Sequence, residues 1–200
     1  MSGIYIHIPF CKRKCAYCNF YSICDTTLIP AYVSALKKEM ALRSGYLSGD
    51  ITQSLYIGGG TPSLLSIAEL QDIIQRASSV FTLNSTAEIS LEANPDSLSE
   101  DFIRKLKDSG INRLSIGIQS FYDDDLQTLN RLHKAEQAER CIDYAYKHGF
   151  TNISVDLMYG FPGLTLQKWK QNLEKLKDIP HLSCYQLSLE KGTAMSENIR

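Results

Sequence analysis

The sequence predicts an α/β fold built on parallel strands. Short apolar, β-branched runs alternate with longer segments of helical period about six times along the 200 residues. Start and stop signals agree with those segments, with serines at helix starts and glycines at helix ends. Such alternation calls for parallel strands joined by right-handed crossovers, with helices outside. It fits an open doubly wound sheet and a barrel-like sheet alike, and the chain supplies fewer units than a full barrel of eight.

The strands are expected at Gly3–Pro9, Ser54–Gly58, Ala87–Ala93, Arg113–Gln119, Asn152–Tyr159 and His181–Leu189, each a short apolar run. Helices are expected at Ile29–Leu47, Ile67–Phe81, Glu100–Ser109, Asp123–Leu129, Ala135–His148 and Leu166–Lys177. Ser66 and Ser99 are N-cap candidates with acidic or Gln residues in the next turn, and Gly110 and Gly149 stand at C-cap positions. The stripe Tyr32, Leu36, Met40 reads as core contact. After the sixth strand the chain stops abruptly, at Glu190–Arg200.

Composition is that of an ordinary globular domain, 44% hydrophobic and 22% charged, with a net charge of −1. Lys and Arg are scattered, so no footprint for nucleic acid stands out. No apolar run is long enough for a membrane span and no secretory leader is visible, so a cytoplasmic protein is expected. In that reducing compartment the six cysteines do not form a disulfide framework.

In folds of this kind ligands gather at the carboxyl ends of the strands. Cys11, Cys15 and Cys18 follow the first strand as C-x3-C-x2-C, and Gly58-Gly59-Gly60-Thr61 follow the second. Glu92 and Asn94 end the third strand, Gln119 and Ser120 the fourth, and Asp156 lies on the fifth, with Gln186 and Ser188 on the sixth. Three thiolates on one tight loop suit an iron–sulfur cluster with one iron left open. The alternative is a zinc loop completed by His7 or Cys24, the mark of a non-catalytic binding domain. Glycines in the second βα turn let the backbone approach a ligand, or serve the turn alone. Glu92 and Asp156 interrupt apolar strands, so each should meet a ligand, a cation or backbone donors. Arg131 could receive a ligand carboxylate. Cys141 and Cys184 read as small buried hydrophobes, and His7 as a packing or hydrogen-bonding residue.

Taken together, CKRKCAYCNF, GGGTP, EANP, SIGIQSF, NRLH and DLMYGFPG resemble the radical S-adenosylmethionine superfamily. Within it they are similar to the oxygen-independent coproporphyrinogen III oxidases and the HemW-type haem chaperones, from Tyr5 to about Thr193. The resemblance implies a partial (β/α)6 barrel, with residues 1–200 forming the radical SAM core and lacking the family's C-terminal domain. It implies a 4Fe-4S cluster on Cys11, Cys15 and Cys18, with S-adenosylmethionine as the ligand of the open iron. Gly59, Gly60 and Thr61 would line the methionine end, and Tyr5 and Tyr17 the nucleoside. Glu92, Gln119, Arg131, Asp156 and, more loosely, Ser188 match further S-adenosylmethionine positions. The implied partners are a flavodoxin- or ferredoxin-like reductant and haem or a porphyrinogen. The oxidases carry a fourth cysteine where this chain has Phe20, so the haem-chaperone branch is expected and whether the chain is a catalyst stays open.

Overall fold

A computed structural model describes residues 2–47 and 49–198. Six strands form one sheet: β1 Ser2–Ile8, β2 Thr52–Gly59, β3 Leu83–Ala93, β4 Arg113–Gln119, β5 Ile153–Tyr159 and β6 His181–Gln186. Seven α-helices are described with them: α1 Ile29–Leu42, α2 Ile67–Val80, α3 Glu100–Lys107, α4 Asp123–Thr128, α5 Ala135–Lys147, α6 Leu166–Glu174 and α7 Ala194–Asn198. The strands lie in chain order and every neighbouring pair is parallel.

That order decides between the two architectures the sequence allowed. A doubly wound sheet reverses its strand order at a switch point. Here the order never reverses, so right-handed crossovers carry the helices to the same face, where α1 packs on α2, α2 on α3 and α3 on α5. The other face curls inward. In a flat sheet, five steps of about 4.8 Å would hold β1 and β6 roughly 24 Å apart. Instead the loops leaving β1 and β6 line one cavity, and Met195 of α7 donates its N–H to the carbonyl of Ala16 at 2.9 Å. β1 and β6 do not pair, so the barrel is partial and open between them.

Alternation along the strands makes the two faces chemically opposite. Ile6, Leu55, Ile57, Leu91, Leu114, Ile116, Val155 and Leu157 turn toward the helices and are almost fully buried. Each contributes about 1.5–3 kcal/mol through apolar burial. The intervening positions share the concave face, where register aligns Tyr5 with Tyr56, Tyr56 with Ser90, Glu92 with Ser115, and Gly117 with Asp156. Parallel sheets are usually apolar on both faces. A concave face this polar is suited to a ligand, not to a core.

Ser66 caps α2 through a capping box with Glu69, Ser99 caps α3, and Gly110 and Gly149 adopt positive φ as the sequence predicted. The boundaries differ at several places. α1 ends at Leu42 and passes into a 3-10 turn over Ser44–Leu47, because Ser44 and Gly45 are weak helix formers. β3 starts earlier than expected, at Leu83, which pairs with Thr52 across a register shift. β6 ends at Gln186, since its partner β5 stops at Tyr159 before Gly160 turns away with φ 79°. The unpredicted α7 occupies the terminal stretch, of which Ile199 and Arg200, like Met1, lie outside the described residues.

Met40 is buried and Tyr32 and Leu36 pack against the core, as the stripe implied. Cys141 is buried as expected, but Cys184 is not. It sits on the edge strand β6, which has no further strand to cover it. Among the described residues no helix is long and apolar enough to cross a membrane.

Candidate cofactor site at the strand ends

The loop that carries the three cysteines is closed at its base. Phe10 bridges Ile23, with Cys11 N–H donating to Ile23 O at 3.0 Å and Ile23 N–H to Pro9 O at 2.7 Å. Its tip is strapped to the segment after α4. Ala16 N–H donates to Leu129 O, Asn130 Nδ2 to Lys14 O, and Arg13 Nη2 to both Asn130 O and Arg131 O. Cys11, Cys15 and Cys18 are all half-buried. Burial raises the pKa of the Cys18 thiol, and the charges of Cys15 and Cys11 add to the rise. Two sulfurs already receive donors: Thr61 Oγ1 stands 3.6 Å from Cys11 Sγ, and Arg131 Nη1 stands 3.3 Å from Cys15 Sγ.

These cysteines face a cavity of about 600 Å³ bounded by the ends of all six strands. Tyr17, Gly59, Gly60, Thr61, Glu92, Gln119, Arg131, Asp156 and Ser188 line it with them. The volume falls in the range that holds a drug-sized ligand. Tyr5 does not line this cavity; it lies on the concave face of β1, stacked on Tyr56 and hydrogen-bonded to His7 Nδ1 at 3.1 Å. His7 also uses Nε2, on Tyr21 O at 3.2 Å, so both ring nitrogens are occupied by hydrogen bonding.

The glycine turn brings main chain against main chain. A Cβ at Gly60 would meet Phe10 O at 2.7 Å and Cys11 Sγ at 3.0 Å, and a Cβ at Gly59, where φ is +115°, would meet the His7 ring at 2.6 Å. Gly59 N–H donates to Glu92 Oε2 at 2.9 Å, and Tyr56 OH donates to Glu92 Oε1 at 2.8 Å. The Glu92 carboxylate is thus held by the protein itself. Asp156 is different: its nearest donor is Ser115 Oγ at 3.4 Å, and burial, then the charge of Glu92, push its pKa up to about 6. Asp156 is the acid left open toward the cavity.

Gln119 ends β4 with φ 71°, an uncommon conformation for a side chain of this size, and its Oε1 accepts from Tyr185 OH at 2.8 Å. Arg131 donates Nη2 to Gly117 O and Asn94 Oδ1, both at 2.6 Å, besides its bond to Cys15. His133 is buried with Nε2 3.1 Å from Ile118 O. Ser120 is withdrawn from the cavity, donating to Asp125 Oδ2 at 2.7 Å. Ser188 donates to Glu190 Oε1 at 2.8 Å at the exposed rim.

Sequence reasoning missed Ser115, Met158, Tyr185 and Leu187, which also line the cavity. The signal was present in strand parity: Met158 and Tyr185 are register partners two residues beyond the Asp156–Ser183 pair, hence on the same face.

Comparison with known proteins agrees with this fold. Residues 5–176 match the model of the Radical SAM superfamily. The chain is 38% identical over 198 residues to the heme chaperone HemW of Bacillus subtilis (strain 168), covering 96% of this chain and 52% of the relative. It is 37% identical over 195 residues to HemW of Escherichia coli (strain K12), again covering 96% of this chain and 52% of the relative. The chain therefore spans about half the length of the curated relatives it matches. Among solved structures, coproporphyrinogen III oxidase (HemN) from Escherichia coli superposes with a TM-score of 0.84 at 26% identity, covering 99% of this chain and 51% of that one. With a matched region running through five of the six strands, the chain belongs to the radical SAM superfamily.

Proposed function

We propose that Cys11, Cys15 and Cys18 hold a 4Fe-4S cluster, that the cavity beside them binds S-adenosylmethionine, and that the chain serves haem handling in the manner of the HemW chaperones it resembles. The observation that carries this reading is three half-buried thiols on one strapped loop, facing a 600 Å³ cavity at the strand ends.

The residues present fit such a group. The charges of Cys15 and Cys11 add to burial in raising the pKa of the Cys18 thiol, while among the described residues no three His, Cys, Asp or Glu side chains gather around a point suited to one metal ion. Gly60 keeps clear the space next to Cys11 Sγ that a Cβ would fill. When bound, the cluster and S-adenosylmethionine supply one-electron reductive cleavage of a sulfonium, chemistry that belongs to the cofactor pair. The chain's own part is to bind and orient. Gly59, Gly60 and Thr61 present main chain and a hydroxyl at the cysteine end, while Asp156, Gln119 and Tyr17 offer polar contacts farther along the cavity. Tyr5, outside the cavity lining, acts through His7 and Tyr56.

Phe20 supports the chaperone reading over the oxidase one. It lines the cavity mouth at 70% exposure, in the place of the fourth cysteine of the oxidases. A flavodoxin- or ferredoxin-like reductant and haem are the proposed partners. Anaerobic reconstitution tests the core of the proposal: about four irons and four sulfides per chain are expected. Loss is expected in Cys11→Ala, Cys15→Ala or Cys18→Ala but not in Cys141→Ala, and a wild-type chain that takes up no iron overturns it. Sustained decarboxylation of coproporphyrinogen III by the reduced protein would favour the oxidase reading.

A further inference from the structure

Arg131 makes no ion pair within 4.0 Å among the described residues, although it is partly buried at the centre of the site. Its recorded polar partners are Cys15 Sγ at 3.3 Å through Nη1, and Asn94 Oδ1 and Gly117 O, each at 2.6 Å, through Nη2. The two oxygens, one amide and one carbonyl, are neutral. A guanidinium removed from water without a countercharge is costly, so an anion belongs beside it. Of its partners, Cys15 is the one that would carry negative charge, as a thiolate ligand of the cluster. Arg131 cannot swing away without freeing Gly117 O and Asn94 Oδ1, and its own carbonyl is held by Arg13 Nη2 at 3.0 Å.

We propose that Arg131 is a positioning residue of the cluster, donating an N–H···S hydrogen bond to the Cys15 ligand and holding a fixed positive charge there that favours the reduced state. This rests on the reading that Cys15 is a cluster ligand. The physical ground is that hydrogen bonds to the ligating sulfurs and local charge set the potential of an iron–sulfur cluster, and both make the extra electron easier to accept. The role differs from reception of a substrate carboxylate, because it operates before any substrate enters.

The test is a redox titration of the reconstituted cluster followed by electron paramagnetic resonance, without S-adenosylmethionine, in wild type, Arg131→Lys and Arg131→Met. At a fixed potential near the midpoint, the ratio of reduced to oxidised cluster is expected to fall about tenfold in Arg131→Met, a midpoint lower by about 59 mV for one electron. Arg131→Lys, which keeps the charge but not the planar donor set, should fall between. Equal midpoints in the three proteins, each with four irons, overturn the proposal and leave Arg131 to a substrate. If both variants fold by circular dichroism but bind no iron, the tuning role is also overturned and Arg131 is an assembly residue. Absence of iron from wild type refutes the cluster reading itself, a separate outcome.

Discussion

Tyr185 on β6 donates its hydroxyl to Gln119 Oε1 on β4 at 2.8 Å, reaching past β5 to a residue whose backbone φ is 71°. Gln119 is 3% exposed, so this bond satisfies a buried oxygen and steadies a left-handed residue at the cavity wall. Tyr185→Phe should therefore destabilise the chain by about 1–2 kcal/mol. In a Gln119→Ala background the same change should have less than half that effect, since the oxygen is gone. Urea unfolding of the four proteins in a double-mutant cycle measures the coupling. Additive losses would show that the two side chains act separately.

The glycine turn gives a sharper contrast. Gly60→Ala places a Cβ 2.7 Å from Phe10 O and 3.0 Å from Ile8 O, main-chain atoms that cannot move without opening the base of the cysteine loop. A loss of about 2 kcal/mol is expected, with reduced iron uptake on reconstitution. Gly45→Ala meets nothing within 4 Å and should leave both stability and iron content unchanged. Thermal unfolding and iron analysis of the pair decide it, and equal behaviour would mean that the close approach at Gly60 is not what the turn requires.

Much of this was readable from the chain because each strand ends in residues that serve no core. Cys11, Gly59, Glu92, Gln119 and Asp156 all follow or interrupt apolar runs, and the fold brings all of them to one cavity. What resisted reading were relations between strands. Whether the sheet reversed its order depends on which strands pair, and no local pattern in an apolar run encodes its neighbour. The occupation of Arg131 by Cys15, Asn94 and Gly117 joins three distant segments and follows only from the curl of the sheet. Cys184 was misjudged because an edge strand and an inner strand look alike in sequence.

Thiol accessibility follows from that correction. Cys24 and Cys184 are exposed and Cys141 is buried, with the Cys141 pKa pushed up to about 12 by burial. Burial and the charge of Asp156 also raise the pKa of Cys184, so it carries less thiolate at mild alkaline pH than an unshifted thiol would. With the cluster in place, alkylation by iodoacetamide at pH 8 should modify Cys24 first, Cys184 more slowly and Cys141 only after unfolding. Peptide mass spectrometry over a time course reads the order. Early labelling of Cys141 would contradict its place in the core.

Buried His133 and half-buried Asp156 set opposing pH dependences in the ligand-free chain. His133 is held down to about 4 from an ordinary 6.5, chiefly by burial and then by the charge of Arg131, so the unfolded chain takes its proton first as pH falls. Its contribution to stability is complete above 6.5 and is lost on the way down to 4, by up to about 3 kcal/mol. Asp156 is raised to about 6 from 3.8, so the folded chain takes its proton first. That contribution is complete below 3.8 and is lost as pH rises through 6, again by up to about 3 kcal/mol. Between pH 4 and 6 the two slopes oppose each other, and these residues together should leave the wild-type stability nearly flat. Asp156→Asn should uncover a stability that climbs with pH across that interval, and His133→Gln one that declines. Urea midpoints at half-unit steps of pH give the slopes, and parallel profiles in all three proteins would show that neither group is linked to folding.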